Sequence, residues 1–243
     1  MRTPTNEDFS RTQDRLDGSE QPVFGPEIGE FTDTDERLAA ADEEEMKTGT
    51  TTVGLSTENG VVMATDMRAS AGRMVSSKDV QKVEQIHPTA ALTIAGSVSA
   101  AQSLIRTLRS ETSLYETRRG KHMSMEALST LTSNFLRSGA FFIVSPLLGG
   151  VDEEGAHVYS LDPLGGMMEE NYAVSGSGSQ YALGVLEQEY DEGLSVDEAK
   201  SVAAHAIQSA VERDLASGNG INVAVVTDEG VEITKHKEFE SLL

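Results

Sequence analysis

The chain has 243 residues, 38% hydrophobic and 24% charged, which supplies a substantial core that is largely aliphatic because aromatics are 5% and Trp is absent. Forty acidic against 19 basic residues give a formal charge of −21, a field that repels nucleic acid and anionic membranes and suits a salt-rich cytoplasm where carboxylates hold hydration water. Cysteine is absent, which excludes disulfides, thiolate metal sites and Cys nucleophiles, and no apolar run approaches the ~20 residues of a membrane span.

Residues 1–49 carry 14 acidic and 5 basic residues and three of the six prolines, without a sustained helical or strand period. That composition predicts a poorly ordered leader, and its lack of the apolar stretch of a secretory signal points to a cytoplasmic protein. Within it, Thr34–Met46 follows a candidate cap at Asp33 and predicts a short helix, although its Glu-rich end opposes the macrodipole.

At Thr50 the pattern changes. Thr50 to Leu55 reads as a strand, Glu58-Asn59-Gly60 as a tight turn, and Val61 to Ala64 as the returning strand. The period of two puts Thr51, Val53 and Leu55 on one face, expected to be the core face, and Thr50, Thr52 and Gly54 on the other. Further strands are predicted at 90–95, 141–148, 157–161, 172–174, 221–227 and 231–234. Helices are predicted in two pairs, over 97–117 with 124–137 and over 180–190 with 195–215. Ala203, Ile207 and Ala210 give the last an apolar face, and Ser195-Val196-Asp197-Glu198 opens it with a capping box.

Strands, two helices, strands, two helices, strands is not the alternation of a parallel βαβ fold. It predicts an α+β layered fold, a four-layer αββα sandwich of two mainly antiparallel sheets between helix pairs, over residues 50–243 with 1–49 as an appendage.

Threonine is a weak nucleophile unless a base takes its proton, and one solution uses its own α-amine when it is the first residue. Gly49-Thr50 at the leader–strand junction offers that arrangement, because Gly49 permits close backbone approach and the Thr50 hydroxyl could then attack the preceding carbonyl. Taken alone, the Thr-rich segment reads first as a strand of high β propensity. Gly176-Ser177-Gly178-Ser179 lacks the third glycine or the Lys of a nucleotide loop. Histidines at 87, 122, 157, 205 and 236 show no ligand spacing, so neither a metal nor another cofactor is expected.

The combination is more specific than its parts. Thr48-Gly49-Thr50-Thr51-Thr52-Val53-Gly54, Ala64-Thr65-Asp66-Met67-Arg68-Ala69-Ser70, Lys82, Ala95-Gly96, Gly176-Ser177-Gly178 and Arg213-Asp214-Leu215-Ala216-Ser217-Gly218 resemble, in order and spacing, the motifs of archaeal proteasome β subunits. The resemblance covers about residues 48–243.

It implies a threonine endopeptidase made active by autocatalytic cleavage between Gly49 and Thr50, with residues 1–49 as a removable prosegment. Thr50 would be the nucleophile, Lys82 the cation beside its hydroxyl, and Asp66 the group that keeps Lys82 charged and oriented. Without the family match, Asp66 and Lys82 would read as an ordinary salt bridge. Gly96 would offer its N–H to an oxyanion, and Ser177, Asp214 and Ser217 would surround the N-terminal amine and hydrolytic water. Arg68 would brace the site or substrate main chain. Ala69, Val80, Ile94 and Val98 would line an apolar substrate pocket with a preference for cleavage after hydrophobic residues.

The implied partners are proteasome α subunits, other β subunits in a heptameric ring, an activating ATPase reached through the α ring, and unfolded protein substrates. A catalytically silent ring subunit, a two-ring threonine peptidase of the bacterial kind and a small-molecule amidase remain as alternatives.

Overall fold

The computed structural model describes residues 49–72, 74–141 and 143–243; apart from Gly49, the leader and its predicted helix lie outside the described residues. In chain order the strands are β1 (Thr51–Thr57), β2 (Gly60–Asp66), β3 (Ala69–Ala71), β4 (Met74–Ser77), β5 (Val83–His87), β6 (Ala90–Thr93), β7 (Leu147–Asp152), β8 (Gly155–Leu161), β9 (Met167–Glu169), β10 (Tyr172–Gly176), β11 (Ile221–Thr227) and β12 (Gly230–His236). The helices are α1 (Val98–Arg119), α2 (Met125–Arg137), α3 (Ser179–Glu189) and α4 (Val196–Arg213).

Asn59 and its neighbour Glu58 form the two-residue turn that pairs Thr57 with Gly60, so β1 and β2 run antiparallel from the first residues of the domain. The first sheet has the order β10-β1-β2-β11-β12 and the second β5-β6-β7-β8-β9, with β3 and β4 as a separate ribbon. Every pairing within them is antiparallel, which gives the α+β sandwich.

Three apolar layers hold it. Leu104, Leu108, Leu128 and Leu136 of α1 and α2 pack on Leu92, Leu148 and Tyr159 of the second sheet. Ala199, Ala203 and Ile207 of α4, with Leu186 of α3, pack on Val53, Leu55, Val62 and Val223 of the first. Val61, Met63, Ala91, Leu147, Val158 and Ala224 fill the space between the sheets. Each fully buried Val or Leu contributes roughly 1.5–3 kcal/mol.

This layering corrects the single core face expected for β1. Val53 and Leu55 face the helices, but Thr52 and Gly54 are buried too, because the second sheet covers the other side. Gly54 has no side chain where Val158 approaches; a Cβ there would stand 3.1 Å from Val158 Cγ1.

The strand expected over 141–148 starts only at Leu147. Ile143 sits at φ 62°, left-handed backbone that a β-branched residue adopts only under constraint, and only an isolated bridge joins Val144 to Gly96. The helix expected to run to 215 stops at Arg213, where Asp214 turns to extended backbone (φ −91°, ψ 114°). Ser97, Ser124 and Ser195 are N-caps, the last with both bonds of the capping box present.

Candidate active site

Strand pairing brings the ends of β1 and β2 together. Thr51 opens β1, Asp66 closes β2, and the backbone N–H of Thr51 donates to Asp66 Oδ1 at 3.0 Å. Asp66 Oδ2 accepts the N–H of Arg68 and that of Gly218, each at 2.9 Å. Asp66 is wholly buried, and these three donors satisfy a carboxylate that would otherwise be costly to bury.

Lys82 stands just before β5. Its ammonium donates to Asp66 Oδ1 at 2.7 Å and to Thr50 Oγ1 in a short hydrogen bond, and the side chain is 2% exposed. Burial pushes the Lys82 pKa below its ordinary value; Asp66 and then Asp214 oppose the push and Arg68 adds to it. The result is a cation in contact with a hydroxyl, releasing its proton more readily than a solvated lysine.

On the other side of Thr50 a chain of hydroxyls leads to a second carboxylate. The Thr50 N–H donates to Ser177 Oγ at 3.1 Å, and Ser177 Oγ donates to Asp214 Oδ2 at 2.6 Å. Ser217 Oγ donates to the same Asp214 oxygen at 2.7 Å. Its single hydrogen is thereby used, so Thr51 is the donor in the 2.7 Å contact between Thr51 Oγ1 and Ser217 Oγ.

Glycines shape the surroundings. A Cβ on Gly49 would collide with Ala216 Cβ, and one on Gly176 (φ 94°) with the Thr50 carbonyl oxygen. Gly96 takes φ 104° against the Ile143 carbonyl. The bridge around it uses the N–H groups of Ser97 and Ser145, bonded to Ile143 O and Ala95 O, and leaves the Gly96 N–H outside that pairing.

Of the residues singled out in the sequence, Thr50, Asp66, Lys82, Ser177, Asp214 and Ser217 thus share one hydrogen-bonded network. The remaining ones lie elsewhere around it. The Arg68 guanidinium turns to the loop after α4, donating to Leu215 O at 2.6 Å and Asn219 Oδ1 at 3.0 Å, which ties the segment after β2 to that loop. Ile94 is 3% exposed and packs in the core beneath α1 and α2; its N–H bonds the Lys82 carbonyl. Ala69, Val80 and Val98 are half-buried on three different segments.

Three further participants have no role assigned from the sequence, although Thr51 and Ser70 lie within the quoted motifs. Ser70 Oγ accepts the Gly49 N–H at 3.1 Å. Thr51 joins the Asp214 cluster. Asn222, wholly buried on β11, donates to Val80 O at 3.0 Å and Thr65 Oγ1 at 3.2 Å, tying down the segment that leads into Lys82. Side chains of alternating direction on a strand look alike in sequence whether they face a core or a site.

The profile described as proteasome subunit matches residues 46–226. The chain belongs to the proteasome subunit family. A proteasome subunit beta of Halorubrum lacusprofundi is 73% identical over 244 residues, covering 100% of both chains. Those of Haloquadratum walsbyi and Haloferax volcanii are each 68% identical, again over 100% of both chains. The α+β sandwich is that expected of proteasome subunits, and the matched span contains every residue of the network. No helix among the described residues is long and apolar enough to cross a membrane.

Proposed function

We propose that this proteasome subunit is a β-type threonine endopeptidase of the 20S core, made active when cleavage between Gly49 and Thr50 removes residues 1–49. The observation that carries the reading is the buried contact in which Lys82 Nζ bridges Thr50 Oγ1 and Asp66 Oδ1. The relatives' name, proteasome subunit beta, supports the β assignment.

In processing, the Thr50 hydroxyl attacks the Gly49 carbonyl carbon. Collapse breaks the Gly49–Thr50 amide, leaves Gly49 as an ester on Thr50 Oγ and frees the α-amine; water then hydrolyses the ester. The freed amine, with an ordinary pKa near ~8, stands beside Ser177 and serves as the base. In turnover Oγ attacks a substrate carbonyl as the amine takes its proton, with Lys82 lowering the proton affinity of the hydroxyl. The oxyanion forms toward the Gly96 N–H. The amine returns the proton to the leaving peptide amine, and water, held by Ser177, Asp214 and Ser217, hydrolyses the acyl ester.

The half-buried Ala69, Val80 and Val98 favour cleavage after hydrophobic residues. Other β subunits in a heptameric ring, α subunits and an ATPase that feeds unfolded chains through the α ring complete the proposed cytoplasmic assembly.

The test is intact mass and peptidase assay of the wild type and Thr50→Ala after assembly with an α subunit. A wild-type product beginning at Thr50, absent from the variant and active on peptides, supports the reading. An uncleaved, inactive wild type overturns it in favour of a structural ring subunit.

A further inference from the structure

We propose that His87, Glu116 and His122 form a binding site for a transition cation of the zinc class, at the end of β5 remote from Lys82. Positions 87, 116 and 122 have no ligand spacing along the chain, and the fold supplies their meeting. His87 is the last residue of β5, Glu116 lies in the last turn of α1, and Gly120, at φ 67°, caps α1 and turns the chain so that His122 comes back onto Glu116.

One oxygen is common to the set. Glu116 Oε1 is 2.8 Å from His122 Nδ1 and 3.1 Å from His87 Nε2, and one donor atom from each residue lies within 4.8 Å of the others. Tetrahedral zinc with bonds of about 2.0–2.1 Å separates its ligands by roughly 3.3 Å, so the two contacts of Glu116 Oε1 would lengthen by a few tenths of an ångström to take the ion. Two imidazoles and a carboxylate match a borderline cation, whereas calcium and magnesium call for all-oxygen sets.

The second observation is an orphan. His87 Nε2 is buried and makes no hydrogen bond among the described residues, although Glu116 Oε1 is near. A buried polar atom without a partner costs about 1–3 kcal/mol, and a coordinated cation would remove that cost. The Thr89 N–H donates to His87 Nδ1 and Thr89 Oγ1 lies 3.3 Å from the same nitrogen; cation binding at Nε2 moves the ring proton to Nδ1, exchanging the bond from the Thr89 N–H for one donated to Thr89 Oγ1. A cleft of about 720 Å3 lined by His87, Glu116, Arg109 and Glu229 provides the entry route.

His157 shows what a non-site looks like. Its Nδ1 lies 2.6 Å from Glu169 and its Nε2 3.0 Å from Asp152, so both ring nitrogens are already used. The bound ion would clamp the end of α1 and the α1–α2 turn to the β5–β6 hairpin, with the fourth ligand a water.

The experiment is equilibrium dialysis of the chelator-stripped, full-length protein against Zn2+, with Co2+ absorption in parallel. We expect one tight Zn2+ per chain, tetrahedral Co2+ bands, and weakening by at least about tenfold in both Glu116→Gln and His122→Ala. His122 is 66% exposed, so its variant folds, and His157→Ala should bind as the wild type does. Zn2+ spread over many weak sites, wild-type affinity in the Glu116→Gln and His122→Ala variants, or octahedral Co2+ bands would each overturn the proposal.

Discussion

Lys82 and His157 are both cations paired with carboxylates at hydrogen-bond distance, yet their proton affinities move in opposite directions. Lys82 has one partner, Asp66, whose oxygens are shared with three backbone N–H groups, and burial dominates. For His157 burial also lowers proton affinity, but Glu169 and Asp152 together outweigh it and the pKa rises. Contact with a carboxylate therefore does not by itself set a charge state; the balance between lost water and the number of carboxylates in contact does, one for Lys82 and two for His157. The site uses the first balance to hold a cation that is ready to give up its proton.

The largest effect should come from breaking the buried pair. Asp66→Asn keeps the shape but turns an amide toward Lys82 and the N–H groups of Thr51, Arg68 and Gly218. Urea unfolding should lose about 3–5 kcal/mol, and peptidase activity should fall by at least about a hundredfold. A loss under about 1 kcal/mol would mean the pair behaves as a solvated one.

A smaller effect separates the two cations by pH. His157 has a raised pKa, so the native state holds the proton better than the unfolded chain: its contribution is complete below the ordinary value of 6.5 and is lost as pH rises through the raised value. Lys82 has a lowered one, so its effect has the opposite slope, stability rising with pH between its folded value and 10.5. His157→Gln should therefore cost about 1 kcal/mol below pH 6.5 and progressively less as pH rises through the raised pKa, read from urea midpoints at several pH values; an unchanged pH dependence would remove His157 from the comparison. The smallest effect belongs to the exposed Arg109–Glu84 pair at 2.9 Å. Arg109→Ala should shift stability by less than about 1 kcal/mol, and concentrated salt should erase the shift.

The sequence made some features plain for local reasons. Asn-Gly marked the β1–β2 hairpin, and Ser195 with Glu198 marked the start of α4. It hid others because their causes are distant. Residues 149–150 look like a strand end, but β7 runs through both glycines, since a Cβ on Gly149 would press on Met63 Sδ at 2.7 Å and one on Gly150 would meet Met125. β5 escaped because Glu84 and Gln85 break its apolar pattern, and the short strands β3, β4 and β9 are mostly exposed.

The candidate site was legible only as a set of motifs in order. Thr50 and Lys82 are 32 positions apart, and nothing local in either residue announces the other. Asn222 and Ser70, which secure the flanking segments, look like ordinary strand polar residues. His87, Glu116 and His122 were invisible for the same reason, since only the α1 cap brings the last two together.

β1 lies inside its sheet, between β10 and β2, with both faces covered. In hydrogen-exchange terms, the amides from Val53 to Leu55 belong to the part of the molecule that opens only when the whole domain does. Thr50 is attached directly to that strand. As denaturant is raised, loss of the Lys82–Thr50 contact should coincide with global unfolding, while the β3–β4 ribbon, paired only with itself, exchanges long before.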